Sequence, residues 1–211
     1  METKQTSLDQ THFRYLKAEE IENPFIYINE FCEKETEMYY FRRDTLYLIK
    51  TAFSYDETFL AGCNSNYAYS QKQLIKVIET MYVLHHADMD LKPGNIRNYE
   101  NSYKCLERDE RNNLRVFLDD FFGYKDLDGW HELLDDLLIY AYKEGGEGFF
   151  DYADKPFKTM DYFEKLVEAI FLIYEIRHLK DSYPKASTDA IKETIHATDK
   201  GESDGGIGCD C

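Results

Sequence analysis

Several things are scarce in this chain, and each scarcity excludes something. Basic side chains are outnumbered, with 25 Lys and Arg against 41 Asp and Glu for a net charge of −16. That balance argues against direct binding of nucleic-acid phosphates or anionic lipid, both of which require positive patches. No apolar run approaches the ~20 residues of a membrane span, because Glu164, Lys165, Glu168 and Glu175 interrupt the most hydrophobic stretch. No run of alternating strand-type residues is long enough to build a sheet. The first thirty residues lack an apolar secretory core, and Glu2 and Asp9 sit where such a leader carries positive charge, so an intracellular protein is expected. Five cysteines, an odd number at irregular spacing, do not form a disulfide framework. Cys32, Cys63 and Cys105 lie among aliphatic and aromatic neighbours and read as reduced packing residues. Catalytic signatures are missing too: no G-x-S-x-G, no H-E-x-x-H and no phosphate-cradling glycine loop.

What is present is helical periodicity with many aromatics, 18 Tyr and 14 Phe beside a single Trp. Residues 159–180 (TMDYFEKLVEAIFLIYEIRHLK) are apolar around most of a helical circumference, the pattern of a central helix packed on several sides. Thr159 is its expected N-cap. The cleanest amphipathic segment is 130–142, where Trp130, Leu133, Leu134, Leu137, Leu138 and Ala141 share one face. Ser70 and Gln73 suggest a capping box opening a helix that runs to about Met89, with Leu74, Val77, Ile78, Met81 and His85 inward and Lys72, Lys76, Glu79 and His86 outward. Further helices are expected over 13–22, 35–53, 98–122 and 188–197, and no internal repeat is evident. The expected fold is all-α, an irregular single-domain bundle of about five to seven helices. It divides into a flexible N-terminus (1–12), a helical domain (13–198) and a disordered Gly/Cys-containing tail (199–211).

Three groups of residues are candidates for chemistry. The acidic excess is concentrated between residues 107 and 154. Within it Asp128, Glu132, Asp135 and Asp136 fall on the face opposite the leucines, with Asp119 and Asp120 as a second pair. A contiguous acidic face suits a basic protein partner. This leads to the primary functional expectation: a non-enzymatic acidic binding module (inhibitor, immunity-type or adaptor protein), with no cofactor. The second group is Glu175 and His178, an E-x-x-H pair of the kind that presents two metal ligands from one helix, with His85 and His86 as further ligands. It defines an alternative, a metal-dependent helical-bundle enzyme holding a transition metal. The third is the Cys-x-Cys end, Cys209 and Cys211, on a glycine-rich tail where a thiol could be modified. That tail also resembles the doubly prenylated ends of Rab-type small GTPases, although GTPase loops are lacking.

Residues 90–96 (DLKPGNI) are similar to the catalytic loop of protein kinases, in which Asp90 would be the base and Asn95 the metal ligand. The remainder of that family's pattern is missing, and a Pro-Gly helix stop accounts for the segment.

Overall fold

The computed structural model describes residues 8–35, 38–53, 66–87, 91–92, 103–142 and 156–182. They form eight α-helices and no strand: α1 (Ala18–Glu22), α2 (Phe25–Glu30), α3 (Met38–Phe53), α4 (Tyr67–His86), α5 (Arg108–Asn112), α6 (Leu114–Tyr124), α7 (Leu127–Tyr142) and α8 (Pro156–Ser182). The fold is all-α, as its periodicity requires. No helix among the described residues is long and apolar enough to cross a membrane. Two compact units are distinguished, Met1–Ile176 and Arg177–Cys211. Of the second, only the last turns of α8 are described. The expected 188–197 helix and the 199–211 tail lie outside the described residues.

Several boundaries differ from those the sequence suggests. α8 starts at Pro156, whose missing N–H costs nothing in a first helical turn, so Thr159 is a buried helix residue and not the cap. α4 is capped by Asn66, whose side chain accepts the Tyr69 N–H at 3.1 Å, and Ser70 is buried inside the helix. The stretch expected as one helix over 98–122 has no helix from Tyr103 to Glu107 and then breaks at Asn113, which caps α6 by accepting the Arg115 N–H. Likewise 13–17 is not helical and only Ala18–Glu22 is.

The largest departure is a repeat. α1 to α4 are followed by α5 to α8 in the same order, and α3 and α7 are both 16 residues long. Residue n of α3 or α4 answers residue n + 89 in α7 or α8; ahead of them the offset is 90. Equivalent core positions are filled by Leu16 and Leu106, Tyr27 and Phe117, Phe31 and Phe121, Phe41 and Trp130, Leu48 and Leu137, and Ile78 and Val167, all buried. Ring pairs recur with them: Tyr27–Phe31 at 5.5 Å matches Phe117–Phe121 at 5.4 Å, both tilted, and Phe31 meets Phe41 at 4.8 Å as Phe121 meets Trp130 at 4.1 Å, the first pair edge-on and the second stacked. The first half carries one residue more between Phe31 and Phe41 than the second does between Phe121 and Trp130. The π-helical turn Phe31–Glu35 lies in that stretch, and a π turn is how a helix absorbs one inserted residue.

α3 packs against both α7 and α4, and α4 packs against α7. The buried face of α3 (Phe41, Thr45, Leu48, Ile49, Ala52) and that of α7 (Trp130, Leu134, Leu137, Ala141) therefore meet inside the first unit. α8 has a continuous buried run, with every residue from Leu166 to Ile173 inside the protein, as are Tyr162 and Phe163.

Candidate functional site

Burial makes two glutamates the most unusual residues in the molecule. Glu79 on α4 and Glu168 on α8 are both 0% exposed, although a glutamate between helix neighbours such as Lys76 and Thr80 reads as a solvated outward residue. A carboxylate removed from water is stable only when its lone pairs are taken up. Here they are, twice, in the same manner. Oε1 of Glu79 accepts the Arg14 N–H at 2.5 Å, and Oε2 accepts those of Tyr15 at 3.1 Å and Leu16 at 2.9 Å. Oε1 of Glu168 accepts the Lys104 N–H at 2.9 Å, and Oε2 accepts those of Cys105 at 2.8 Å and Leu106 at 2.9 Å.

Each carboxylate also meets a cationic type of side chain from the opposite half. Arg42 on α3 donates to Glu168 Oε1 at 2.5 Å, while Nε2 of His131 on α7 lies 3.3 Å from Glu79 Oε1. Arg42 and His131 occupy equivalent positions, so the exchange is reciprocal, as a two-fold relation between the halves demands. The short helices that follow are tied down in parallel as well. Glu20 accepts the Lys17 N–H at 2.8 Å and is gripped by Lys76 at 2.7 Å. Glu110 accepts the Glu107 N–H at 2.6 Å and is gripped by Lys165 at 3.1 Å. A K-x-x-E pair on each long helix thus clamps the non-helical segment that opens its own half.

These clamps are structural. Every carboxylate oxygen is already engaged and dry, so neither glutamate can accept a substrate proton or bind an ion without dismantling the backbone that surrounds it. Cys105, 3.6 Å from the Arg42 guanidinium, is no nucleophile either, since burial and the nearby Glu168 push its thiol up to about 11. Burial likewise pushes Cys32 up to about 12, with Glu33 and Glu175 adding to it. Both cysteines are free. At pH 8 the native Cys105 should react with a disulfide reagent about a hundredfold more slowly than an unfolded-chain thiol of pKa 9.0, since the thiolate is the reactive form. Stopped-flow titration of the folded and urea-unfolded protein measures this, and equal rates would contradict the buried setting.

The acidic candidates separate into two kinds. Asp135 is not a free member of the outer face: its carboxylate bridges the Arg14 guanidinium at 2.7 Å and the Gln71 amide at 2.9 Å. Asp119 accepts from His85 Nε2 at 2.9 Å, and Asp120 accepts from the Tyr162 hydroxyl at 2.7 Å. Burial and the Asp120 bond together hold the Tyr162 phenol well above its ordinary value. These three aspartates fasten one element to another. Asp128, Glu132 and Asp136 are exposed, and none makes a side-chain hydrogen bond or ion pair among the described residues. Spaced four residues apart, they form one stripe along α7. The stripe continues into Ile139, 62% exposed, and near Tyr142, 56% exposed, whose inner edge packs on Tyr67 at 5.6 Å.

Among the described residues no three His, Cys, Asp or Glu side chains converge as ligands. His85 and His86 lie at the end of α4, with their rings 5.1 Å apart; His85 stacks on Phe122 and pairs with Asp119, while His86 Nδ1 bonds the Tyr82 carbonyl. His85 is therefore a partly exposed, carboxylate-paired residue and not part of the apolar stripe. Glu175 is exposed on α8 beside Cys32, and His178 follows it three residues later on the same helix. Cys209 and Cys211 are outside the described residues, as are most of residues 90–96. Comparison with known proteins returns nothing: no family model, no curated protein and no solved structure matches the chain.

Proposed function

We propose that this protein is an acidic helical binding module, of the inhibitor, immunity-type or adaptor kind, which engages a basic protein partner through the exposed face of α7. The observation that carries the reading is the row of uncompensated carboxylates at Asp128, Glu132 and Asp136, running into exposed Ile139 and Tyr142. Carboxylates left without cations are repelled by the chain's own net charge of −16 and are relieved by an incoming positive surface. An apolar end beside them supplies what charge alone does not, a surface worth drying.

The repeat adds weight. At the equivalent places on α3 the chain has Tyr39, Arg43 and Tyr47, so nothing in the fold requires acids along this helix face. Packing and clamps are shared between the halves; the outer stripes are not. Positions that a duplicated scaffold leaves unconstrained, yet fills with one sign of charge, belong to recognition more readily than to folding.

The test is binding of a defined lysine-rich peptide, followed by fluorescence anisotropy at several salt concentrations. Asp128→Lys with Asp136→Lys should weaken binding at least ~10-fold and flatten its salt dependence. Glu22→Lys with Glu30→Lys, an equal change in net charge at exposed sites off this face, should do much less. Equal losses for the two double variants would reduce the effect to overall charge and sink the assignment of the face.

A further inference from the structure

The outward stripes of α3 and α7, exposed except for half-buried Tyr47 and Gly129, are complementary to each other, and we infer that the α3 face of one molecule docks antiparallel on the α7 face of a second copy. The inference rests on the reading of α7 as a binding face and departs from it in the occupant, a chain of net charge −16 that presents cations locally, at Arg43 and Lys50 of α3.

The stripes stand at equivalent positions in the two halves: Tyr39, Tyr40, Arg43, Tyr47 and Lys50 on α3, against Asp128, Gly129, Glu132, Asp136 and Ile139 on α7. When two helices lie side by side and antiparallel, residues whose numbers have a constant sum face one another. With that sum at 179, Tyr40 meets Ile139, Arg43 meets Asp136 and Tyr47 meets Glu132, while Lys50 falls one residue from register with Asp128. A single register thus places both cations against aspartates, offers a phenol hydroxyl to the remaining carboxylate, and puts an exposed ring on the most exposed aliphatic residue of α7. The same end of α3 carries Tyr39, 68% exposed and edge-on to Tyr40 at 5.5 Å. Arg43 is held over the Tyr40 ring at 5.0 Å and bonded to Asp44 at 2.9 Å, so its guanidinium is already oriented on the outer face. Lys50 is exposed and has no partner among the described residues.

Geometry then decides what kind of assembly results. Each stripe lies opposite the buried face of its helix, and the buried faces of α3 and α7 meet each other. The stripes consequently point away from one another, on opposite sides of the first unit. One copy cannot use both against the same neighbour, so the contact is heterologous and propagates head to tail. A single pair of 16-residue helices makes a small interface, at the low end of specific contacts, so association is weak and calls for protein on the order of 100 μM. Salt near physiological strength, where the screening length is about 8 Å, suppresses repulsion between the distant charges of two acidic molecules more than attraction between pairs in contact.

Sedimentation velocity on the full chain provides the test. Wild type should sediment with a weight-average mass that rises with concentration above 25.0 kDa. Arg43→Glu with Lys50→Glu and, separately, Asp128→Lys with Asp136→Lys should each stay monomeric with an unchanged circular dichroism spectrum. Mixing the two variants should restore association, because the unaltered α7 of the first then meets the unaltered α3 of the second, and the reversed α3 of the first meets the reversed α7 of the second. The inference is overturned if wild type is monomeric throughout, or if the equimolar mixture does not associate. A monomeric wild type that still binds the lysine-rich peptide in an α7-dependent way overturns self-docking alone and leaves the proposed function standing. Loss of both would remove the α7 face from any role.

Discussion

Replacing Glu168 with Gln is expected to cost about 3–5 kcal/mol of stability, the largest effect of any single isosteric change in the protein. The substitution keeps the size of the side chain and removes its charge. One of the two positions that accept backbone N–H groups becomes an amide NH2, which confronts the donors of Cys105 and Leu106 or of Lys104. Arg42 loses the carboxylate against which it is packed, and its side chain is only partly open to water. Three ordered amides and a guanidinium cannot all be satisfied by a neutral group. With a urea m-value on the order of 2–3 kcal/mol/M, the unfolding midpoint should fall by about 1.5 M. Hydrogen exchange adds a local readout: the amides of residues 104–106 should lose protection along with global stability, whereas those of 14–16, held by Glu79, should change only as far as the global loss dictates. A midpoint within error of wild type would show that water replaces the carboxylate at this site, and would remove the clamp from the account of the fold.

The fate of Glu79 and Glu168 explains what the sequence could and could not disclose. Helix class, the central burial of residues 159–180 and the leucine face of α7 follow from apolar periodicity, which reports burial directly and locally. A buried carboxylate has no such periodicity. Its partners are backbone amides more than sixty residues away, so a glutamate between Lys76 and Thr80 looks no different from a solvated one. The same distance concealed Asp135, whose partner Arg14 lies 121 residues earlier. A trace of the repeat is nevertheless present in the sequence. Leu16, Glu20 and Asn23 recur at the same spacing as Leu106, Glu110 and Asn113, and Lys76 with Glu79 recurs as Lys165 with Glu168. Apart from the two asparagines, which accept the N–H groups of Phe25 and Arg115, these are the clamp residues themselves. They escape notice because core positions between them were exchanged among apolar types, Phe for Trp and Ile for Val, which packing tolerates while identity decays. The stripe at Asp128, Glu132 and Asp136 was legible because outward charge on an amphipathic helix is a local property; whether its neighbour Asp135 was engaged was not.

That tolerance within the core makes the second large prediction a graded one. Trp130 is fully buried, stacked on Phe121 at 4.1 Å with the planes 9° apart, and lies edge-on to Phe163 and Tyr162. Trp130→Ala should cost about 3–5 kcal/mol, through lost transfer energy and a cavity that the surrounding rings close only in part. Trp130→Phe should cost far less, on the order of 1–2 kcal/mol, for two reasons taken from the structure. The first half places a phenylalanine, Phe41, at the equivalent position and packs it against the equivalent Phe31, edge-on at 82° where Trp130 is stacked. The indole N–H donates to the Phe121 carbonyl at 3.3 Å, but that carbonyl also accepts the Lys125 N–H at 3.4 Å, so losing the indole strands no buried acceptor. Because Trp130 is the single tryptophan, wild-type unfolding can be followed by the red shift of its emission, and both variants by far-ultraviolet circular dichroism. Equal losses for Phe and Ala would mean that the two halves do not share one packing scheme, and the repeat would then be a likeness of topology without a likeness of energetics. A small loss for Phe beside a large one for Ala would show the duplicated core to be interchangeable between halves, leaving the outer faces of α3 and α7 as the places where they differ in what they do.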